Sequence, residues 1–229
     1  QGKLLEFNMQ EVTIPGRSTD TVRFTPFIYG TNANKWEPGA KNPPLYKVML
    51  FTRRDGAYRE YMPLKIGFGK TELVDGRLTR FDKELKLVKA GYNAAADRKT
   101  TLAELKTLKA KGNNTICPDY PQPGWFYDLC DELGLYVIDC ANINAPEKRD
   151  DRKVGGTPSN DPSLADEYLE RVKAMYYRSR NHSCVIAFAL GGESGNGYNM
   201  YKAYEWLKSV EKSRPVICAD ADGEWNSDL

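Results

Sequence analysis

The stretch "NTICPDYPQPGWFYDLCDELGLYVIDC", residues 114–140, decides the fold. Two short apolar runs, "NTIC" and "LYVIDC", flank "PGWFYDLCDELG". In that middle segment Trp125, Leu129 and Leu133 recur at helical spacing, and Gly134 follows as a stop signal. Strand, helix and strand in this order read as a parallel βαβ unit.

The same alternation extends in both directions. Upstream, "LKLVKAG" reads as a strand and "TTLAELKTLKAKG" as a helix. Thr101 and Glu104 have capping-box spacing, and Gly112 closes the helix. Downstream comes a loop of some twenty residues, "ANINAPEKRDDRKVGGTPSN", whose charged part "EKRDDRK" reads as a solvated excursion. Next is a helix, "DPSLADEYLERVKAMYYRSR", with Asp161 as cap, Pro162 in its first turn, and Leu164, Tyr168, Val172 and Met175 along one side. "CVIAFAL" is apolar on both faces, as a strand covered on both sides should be. "YNMYKAYEWLKSVEKS" is a helix with Met200, Ala203, Leu207 and Val210 inward, and "RPVIC" opens a fifth strand. Five strands and four helices from about Leu85 to Leu229 fall well short of the ~250 residues of a complete eight-stranded barrel. The expected fold is therefore α/β, with residues 81–229 forming the N-terminal half of a (β/α)8 barrel. An open doubly wound sheet is the rival, but no G-x-G-x-x-G opens the first helix.

Residues 1–80 read differently. "TVRFTPF" is β-like, "YKVMLFT" and "AYREYMPLKIGF" flank a glycine turn, and "TELVDGRLTRF" carries Asp75-Gly76, a strong hairpin signal. "NKWEPGAKNPPLY" is a Pro/Gly-rich loop. This part is expected to be a small antiparallel module or part of a β-sandwich. The net charge of +2 comes from basic and acidic residues mixed along all 229 positions, without the basic stripe of a nucleic-acid binder. No apolar run approaches the ~20 residues of a membrane span. Five cysteines without a C-x-x-C pair, and a single histidine, argue for free thiols and against a zinc site. "QGKLLEF" lacks an apolar signal core and an initiator Met, so the chain reads as processed or cut from something longer.

In α/β folds the loops after strand C-termini carry function. Four such loops hold or adjoin carboxylates: Asp97, Asp119, Asp139 and Glu193. Without a histidine cluster, carboxylate pairs are the available acid/base machinery, and glycoside hydrolysis uses two of them. Glu193 stands out. It follows the apolar run "CVIAFAL" within "GGESGNG", whose glycines let a ligand approach. Trp125, Tyr127, Tyr201 and Trp206 sit at helical spacing and read as packing. Trp225, after the last strand, is a candidate for stacking on a sugar. His182 precedes its strand, at the opposite end of the barrel from Glu193, and reads as structural.

These residues carry a resemblance. "YPQPGWFYDLCDELGLYVIDCANI", "RNHSCVIAFALGGESGNG" and "KSVEKSRPVI" resemble "HYP…FYxLCDEYGLYVIDEANIE", "RNHPSVIxWSLGNESGxG" and "DPSRPVxYE" of family 2 glycoside hydrolases, the β-galactosidase group. The resemblance runs from about Thr21 to Leu229. It implies part of an immunoglobulin-like domain (residues 1–80) followed by the first half of a TIM barrel, with "PLKIGFGKTELVDGRL" resembling the link between them. It also implies a retaining hydrolase of β-linked glycosides in which Glu193 is the general acid/base at the end of the fourth barrel strand. Asp119, Tyr120, Asp139, Asn142 and Trp225 become the candidate substrate contacts. No cofactor and no metal are expected. The expected partners are a carbohydrate and either a second copy or the remainder of the barrel, in a soluble protein of a bacterial cytoplasm or periplasm.

The departures from the family pattern cluster where a relative holds its sugar and metal. The asparagine before the acid/base glutamate is Gly192 here. "RTSHYP" reads "ICPDYP", placing Ile116 and Asp119 at its arginine and histidine, and "GVNRHE" reads "GYNAAA", placing Ala94 and Ala95 there. In "DEANIETH" the glutamates become Cys140 and Asn144 and the histidine Pro146; "YE" after the fifth strand becomes Cys218 and Ala219. The family's nucleophile is a glutamate on the seventh strand, beyond the five read here. The expectation is a glycosidase with a depleted site and weak or no turnover by itself, or a non-catalytic carbohydrate-binding or assembly module of the same descent.

Overall fold

The computed structural model describes residues 4–25, 34–38 and 43–229. Two antiparallel sheets come first. β1 (Tyr46–Arg54) and β2 (Ala57–Ile66) form a hairpin around Asp55-Gly56, both with positive φ (51° and 77°), as a tight twisted turn demands. β3 (Thr71–Val74), β4 (Arg77–Arg80) and the short β5 (Lys83–Glu84) form a three-stranded sheet, with Asp75-Gly76 at its first turn. Thr21–Thr25 form no strand, although they read as β-like; the rest of "TVRFTPF" lies outside the described residues. The hairpin keeps Met49, Leu50, Tyr61 and Met62 exposed.

From Lys89 the chain builds one parallel sheet from β6 (Lys89–Tyr92), β7 (Thr115–Pro118), β8 (Tyr136–Cys140), β9 (Val185–Ala189) and β10 (Val216–Ile217). The spatial order β10-β9-β8-β7-β6 equals the sequence order. A doubly wound sheet reverses direction at a switch point, whereas a barrel adds each strand beside the last. The order therefore removes the doubly wound alternative and gives an arc of a (β/α)8 barrel. The first strand begins later than "LKLVKAG" suggests, because Leu85 and Leu87 pack against the core from outside the sheet.

Four helices cover the arc: α1 (Arg98–Ala110), α2 (Gly124–Leu133), α3 (Ala165–Ser179) and α4 (Tyr198–Val210). α1 starts earlier than its sequence spacing suggests, and the Thr101–Glu104 capping box does not form. Asp97 caps instead, accepting from the N–H groups of Lys99 (2.9 Å) and Thr100 (3.0 Å), since a carboxylate one turn upstream is the stronger acceptor. These bonds hold Asp97 below its ordinary pKa, with the Thr100 hydroxyl contributing most. Glu104 accepts from the Tyr92 hydroxyl at 2.5 Å. Asp161 caps a short 3-10 turn, Pro162–Leu164, that leads into α3. Along α4, Met200, Ala203 and Leu207 are buried as expected, but Val210 is exposed. Among the described residues no helix is long and apolar enough to cross a membrane.

The core lies between sheet and helices: Phe126, Leu129, Val137, Val172, Met175, Ile186 and Phe188 are all buried. At the N-terminal ends of the strands one carboxylate joins several elements. Asp131 Oδ1 accepts from the Cys184 N–H (2.7 Å), and Oδ2 lies 2.8 Å from His182 Nδ1. The Asp131 backbone carbonyl accepts from the indole of Trp36, which is fully buried. His182 thus sits in a structural network away from the strand C-termini. All five cysteines are free.

Candidate active site at the strand C-termini

Glu193 follows β9 on the segment Leu190–Gly197, whose backbone is bonded on two sides. On the β8 side, the Gly192 N–H donates to Ile143 O (2.9 Å) and the Glu193 carbonyl accepts from the Ala145 N–H (3.1 Å). The Ser194 carbonyl accepts from the hydroxyls of Thr157 (3.1 Å) and Ser159 (2.6 Å). On the β10 side, Asp220 Oδ2 accepts from the N–H groups of both Ser194 (2.8 Å) and Gly195 (2.7 Å). Further along, Asn196 and Asn226, both fully buried, exchange side-chain amide hydrogen bonds. Ser194, Gly195 and Asn196 are buried, while the Glu193 side chain is 72% exposed. The segment is a bonded cradle that presents one carboxylate to solvent.

Gly195 is required by this packing. Its φ is +70°, and a Cβ would lie 2.6 Å from the Arg149 carbonyl. Gly192 differs, since a Cβ there meets nothing closer than 3.9 Å. The position that falls on the asparagine of the resembled pattern therefore has room for a side chain.

Sequence reading missed Arg149 and Asp220. Arg149 Nη1 lies 3.6 Å from Glu193 Oε1, and Nη2 lies 3.8 Å from Asp220 Oδ1, so one guanidinium spans both carboxylates. Arg152 binds Glu224 (3.0 Å), Asp222 (2.8 Å) and the Asp220 carbonyl (3.0 Å). The segment "EKRDDRK" is solvated as expected, with only Arg149 half-buried, and its arginines also tie it to the loops after β9 and β10. Asp220 has the same signature as the four carboxylates singled out from sequence, an acid just past a parallel strand. Arg149 has no local signature, because its partners lie 44 and 71 positions away in the chain.

The other candidates fall in four places. Asp119 is exposed, and its N–H donates to Tyr92 O (3.0 Å). Tyr120 and Asn142 line a pocket of about 350 Å³ together with Pro121, Arg171, Ala174 and Arg178, to which Glu193 contributes nothing. Trp225 rests on α4, tilted against Tyr201 at 5.3 Å and edge-on to Tyr204 at 5.6 Å. Trp206 packs against Tyr176 and Tyr177 between α3 and α4.

Asp139 is fully buried and turned toward α2. Its Oδ1 accepts from the Tyr127 hydroxyl (2.8 Å) and the Cys140 N–H (3.1 Å), while Oδ2 has no hydrogen-bond partner. Burial pushes its pKa up to about 6, against the pull of Ser179, Tyr127 and Arg178. A folded-state value above the unfolded one means the native state holds the proton more tightly, so stability falls as pH rises from about 4 to about 6. Asp139→Asn is expected to flatten that decline, worth about 3 kcal/mol for a shift of about two units. Urea unfolding at several pH values between 4 and 7 checks it. Parallel curves for the two proteins would show that Asp139 is not the titrating group.

Residues 91–228 match the family described as glycosyl hydrolases family 2, TIM barrel domain. The chain is 34% identical over 185 residues to a β-galactosidase of Vibrio cholerae, covering 76% of this chain and 18% of that protein. It is 36% identical over 190 residues to a β-galactosidase of Lactococcus lactis, with the same coverages. It therefore spans about a fifth of the length of the curated relatives it matches. Among solved structures, the β-D-glucuronidase of Dictyoglomus thermophilum superposes with a TM-score of 0.69 at 20% identity, over 80% of this chain and 34% of that one. The exo-chitosanase of Amycolatopsis orientalis gives 0.66 at 21%, over 82% and 24%. The family match covers most of the chain and coincides with the parallel arc that carries Glu193, and the chain belongs to glycoside hydrolase family 2.

Proposed function

We propose that this chain carries the acid/base half of a retaining β-glycosidase site of the β-galactosidase type. The observation behind this reading is the exposed Glu193 carboxylate on an otherwise buried, fully bonded turn at the end of the fourth parallel strand. In the first step Glu193 would donate its proton to the glycosidic oxygen as the bond to the sugar breaks. In the second it would take a proton from the water that releases the sugar. Arg149 pairs with the carboxylate at 3.6 Å, and Asp220 holds the backbone behind it. A retaining mechanism needs a second carboxyl group ~5 Å away as nucleophile. Asp220 is already committed to two N–H groups and to Arg149, which leaves that role to a group outside β6–β10. β6 and β10 have free edges among the described residues, so further βα units or a second copy would complete the arc.

A second reading is a non-catalytic carbohydrate-binding or assembly module. The small or neutral side chains of Ala94, Ala95, Cys140, Asn144 and Gly192 at positions where relatives carry polar groups favour it. Hydrolysis of aryl β-galactosides, β-glucuronides and β-glucosaminides by the purified chain, alone and in a completed arc, separates the two. With the nucleophile outside β6–β10, the hydrolase reading expects little release from the chain alone and release of aryl alcohol from the galactoside well above the buffer rate once the arc is completed. No release from any of them in either form, together with galactose binding in calorimetry, would support the binding module instead.

A further inference from the structure

The pocket beside α3 has a chemistry of its own. Arg171, Ala174 and Arg178 are three and four residues apart and form one stripe of the helix. Each guanidinium is anchored to a different loop: Arg171 Nη1 donates to Asn142 O (2.8 Å), and Arg178 Nη1 donates to Gln122 O (3.2 Å). Each anchor uses one N–H of five and leaves the rest of a planar fork available. Among the described residues neither arginine has a carboxylate within ion-pair distance. Glu167, one turn before Arg171, makes no ion pair with it, and Asp119, next to Tyr120, does not line the pocket. The buried Asp139 feels the charge of Arg178. The Tyr120 hydroxyl and the Asn142 side-chain amide, both on the lining, make no hydrogen bond among the described residues. Pro121 and Ala174 supply apolar wall. The volume of about 350 Å³ lies at the lower end for small-molecule sites and exceeds what a bare inorganic anion fills.

We propose that this pocket binds a small organic oxyanion of monosaccharide size, a carboxylate or phosphate ester gripped by Arg171 and Arg178, with its body against Tyr120, Pro121 and Ala174. Two pre-anchored guanidiniums suit the paired oxygens of such groups, and the anchoring lowers the ordering cost of binding. Glu193 does not line the pocket, and the proposal does not depend on the hydrolase reading.

Calorimetric and NMR titration of the whole chain with glucuronate, glucose 6-phosphate, glucose and inorganic phosphate tests it. At least one of the two organic anions is expected to saturate below about 10 mM, and to bind about tenfold or more tighter than either glucose or inorganic phosphate. Arg171→Gln and Arg178→Gln should each weaken that binding about tenfold. Arg178→Lys, which keeps the charge but loses the fork, should recover only part of it. Glu193→Gln should bind as wild type, so a failure of the hydrolase reading leaves this result standing. Glucose or inorganic phosphate binding as well as the organic anions, no saturation by any probe, or unchanged binding in the folded double glutamine variant would each overturn the proposal.

Discussion

An Asp220→Ala variant is expected to lose about 2–5 kcal/mol of stability and to loosen the segment that carries Glu193. Its carboxylate is the acceptor for the N–H groups of Ser194 and Gly195, both buried. Each donor left without a partner costs about 1–3 kcal/mol. Asp220→Asn keeps an oxygen at the same place and loses only the charge facing Arg149, so it should cost about 1 kcal/mol. Urea unfolding gives the two values, and amide hydrogen exchange at Ser194 and Gly195 shows where the loss arises. Both amides should exchange faster in the alanine variant than in the asparagine variant. Equal, small effects of the two substitutions would mean that the turn holds itself without Asp220.

Asp131→Ala is expected to cost about 3–5 kcal/mol. The side chain is 3% exposed, accepts from the Cys184 N–H and contacts His182 Nδ1. Hydrogen bonds to a charged group contribute about 1.5–3 kcal/mol each, and the alanine would leave both partners facing a gap. Asp131→Asn can still accept from Cys184 and can donate to His182 in its other tautomer, so about 1 kcal/mol is expected. Trp36 reports the site directly, because its indole donates to the Asp131 carbonyl. Its fluorescence should move with the unfolding transition and shift toward that of an exposed indole in the alanine variant. A difference of less than ~1 kcal/mol between wild type and Asp131→Ala would contradict the view that this carboxylate joins α2 to β9.

The elements that sequence made legible are those whose signals are local. Helical spacing over Trp125–Leu133, the apolar run before Leu190 and the Asp-Gly turns are each set by neighbours within a few residues. They gave the parallel alternation and both hairpins. Errors arose where two local signals competed or where partners are distant. Asp97 outbid Thr101 as the cap of α1 because a carboxylate accepts two N–H groups more strongly than a hydroxyl does. The loop through Arg149 and Arg152 is solvent-exposed as its dense charges suggest, but its ion pairs were not legible, because the partners Asp220, Asp222 and Glu224 lie about seventy positions onward. Glu193 was legible because an acid among glycines at the exit of a buried strand is locally anomalous. Asp139 showed the same acid-at-strand-end pattern, but its side chain turns inward to Tyr127, which alternation along a fully buried strand does not reveal.

The central claim is that Glu193 donates a proton to the departing oxygen. The measurement that tests it most directly compares wild type with Glu193→Gln on β-galactosides of graded leaving groups, from phenol to dinitrophenol, each protein in a completed arc that supplies the nucleophile and in which wild type turns the substrates over. In kcat/KM, which reports the step that releases the leaving group, loss of the general acid should slow the phenyl substrate by about 10²–10⁴-fold and barely affect the dinitrophenyl one, whose leaving group needs no proton; kcat on the dinitrophenyl substrate should still fall, because Glu193 also serves as base in the second step. Equal slowing of kcat/KM for all substrates, or no slowing of any, would contradict the assignment of Glu193 as the acid.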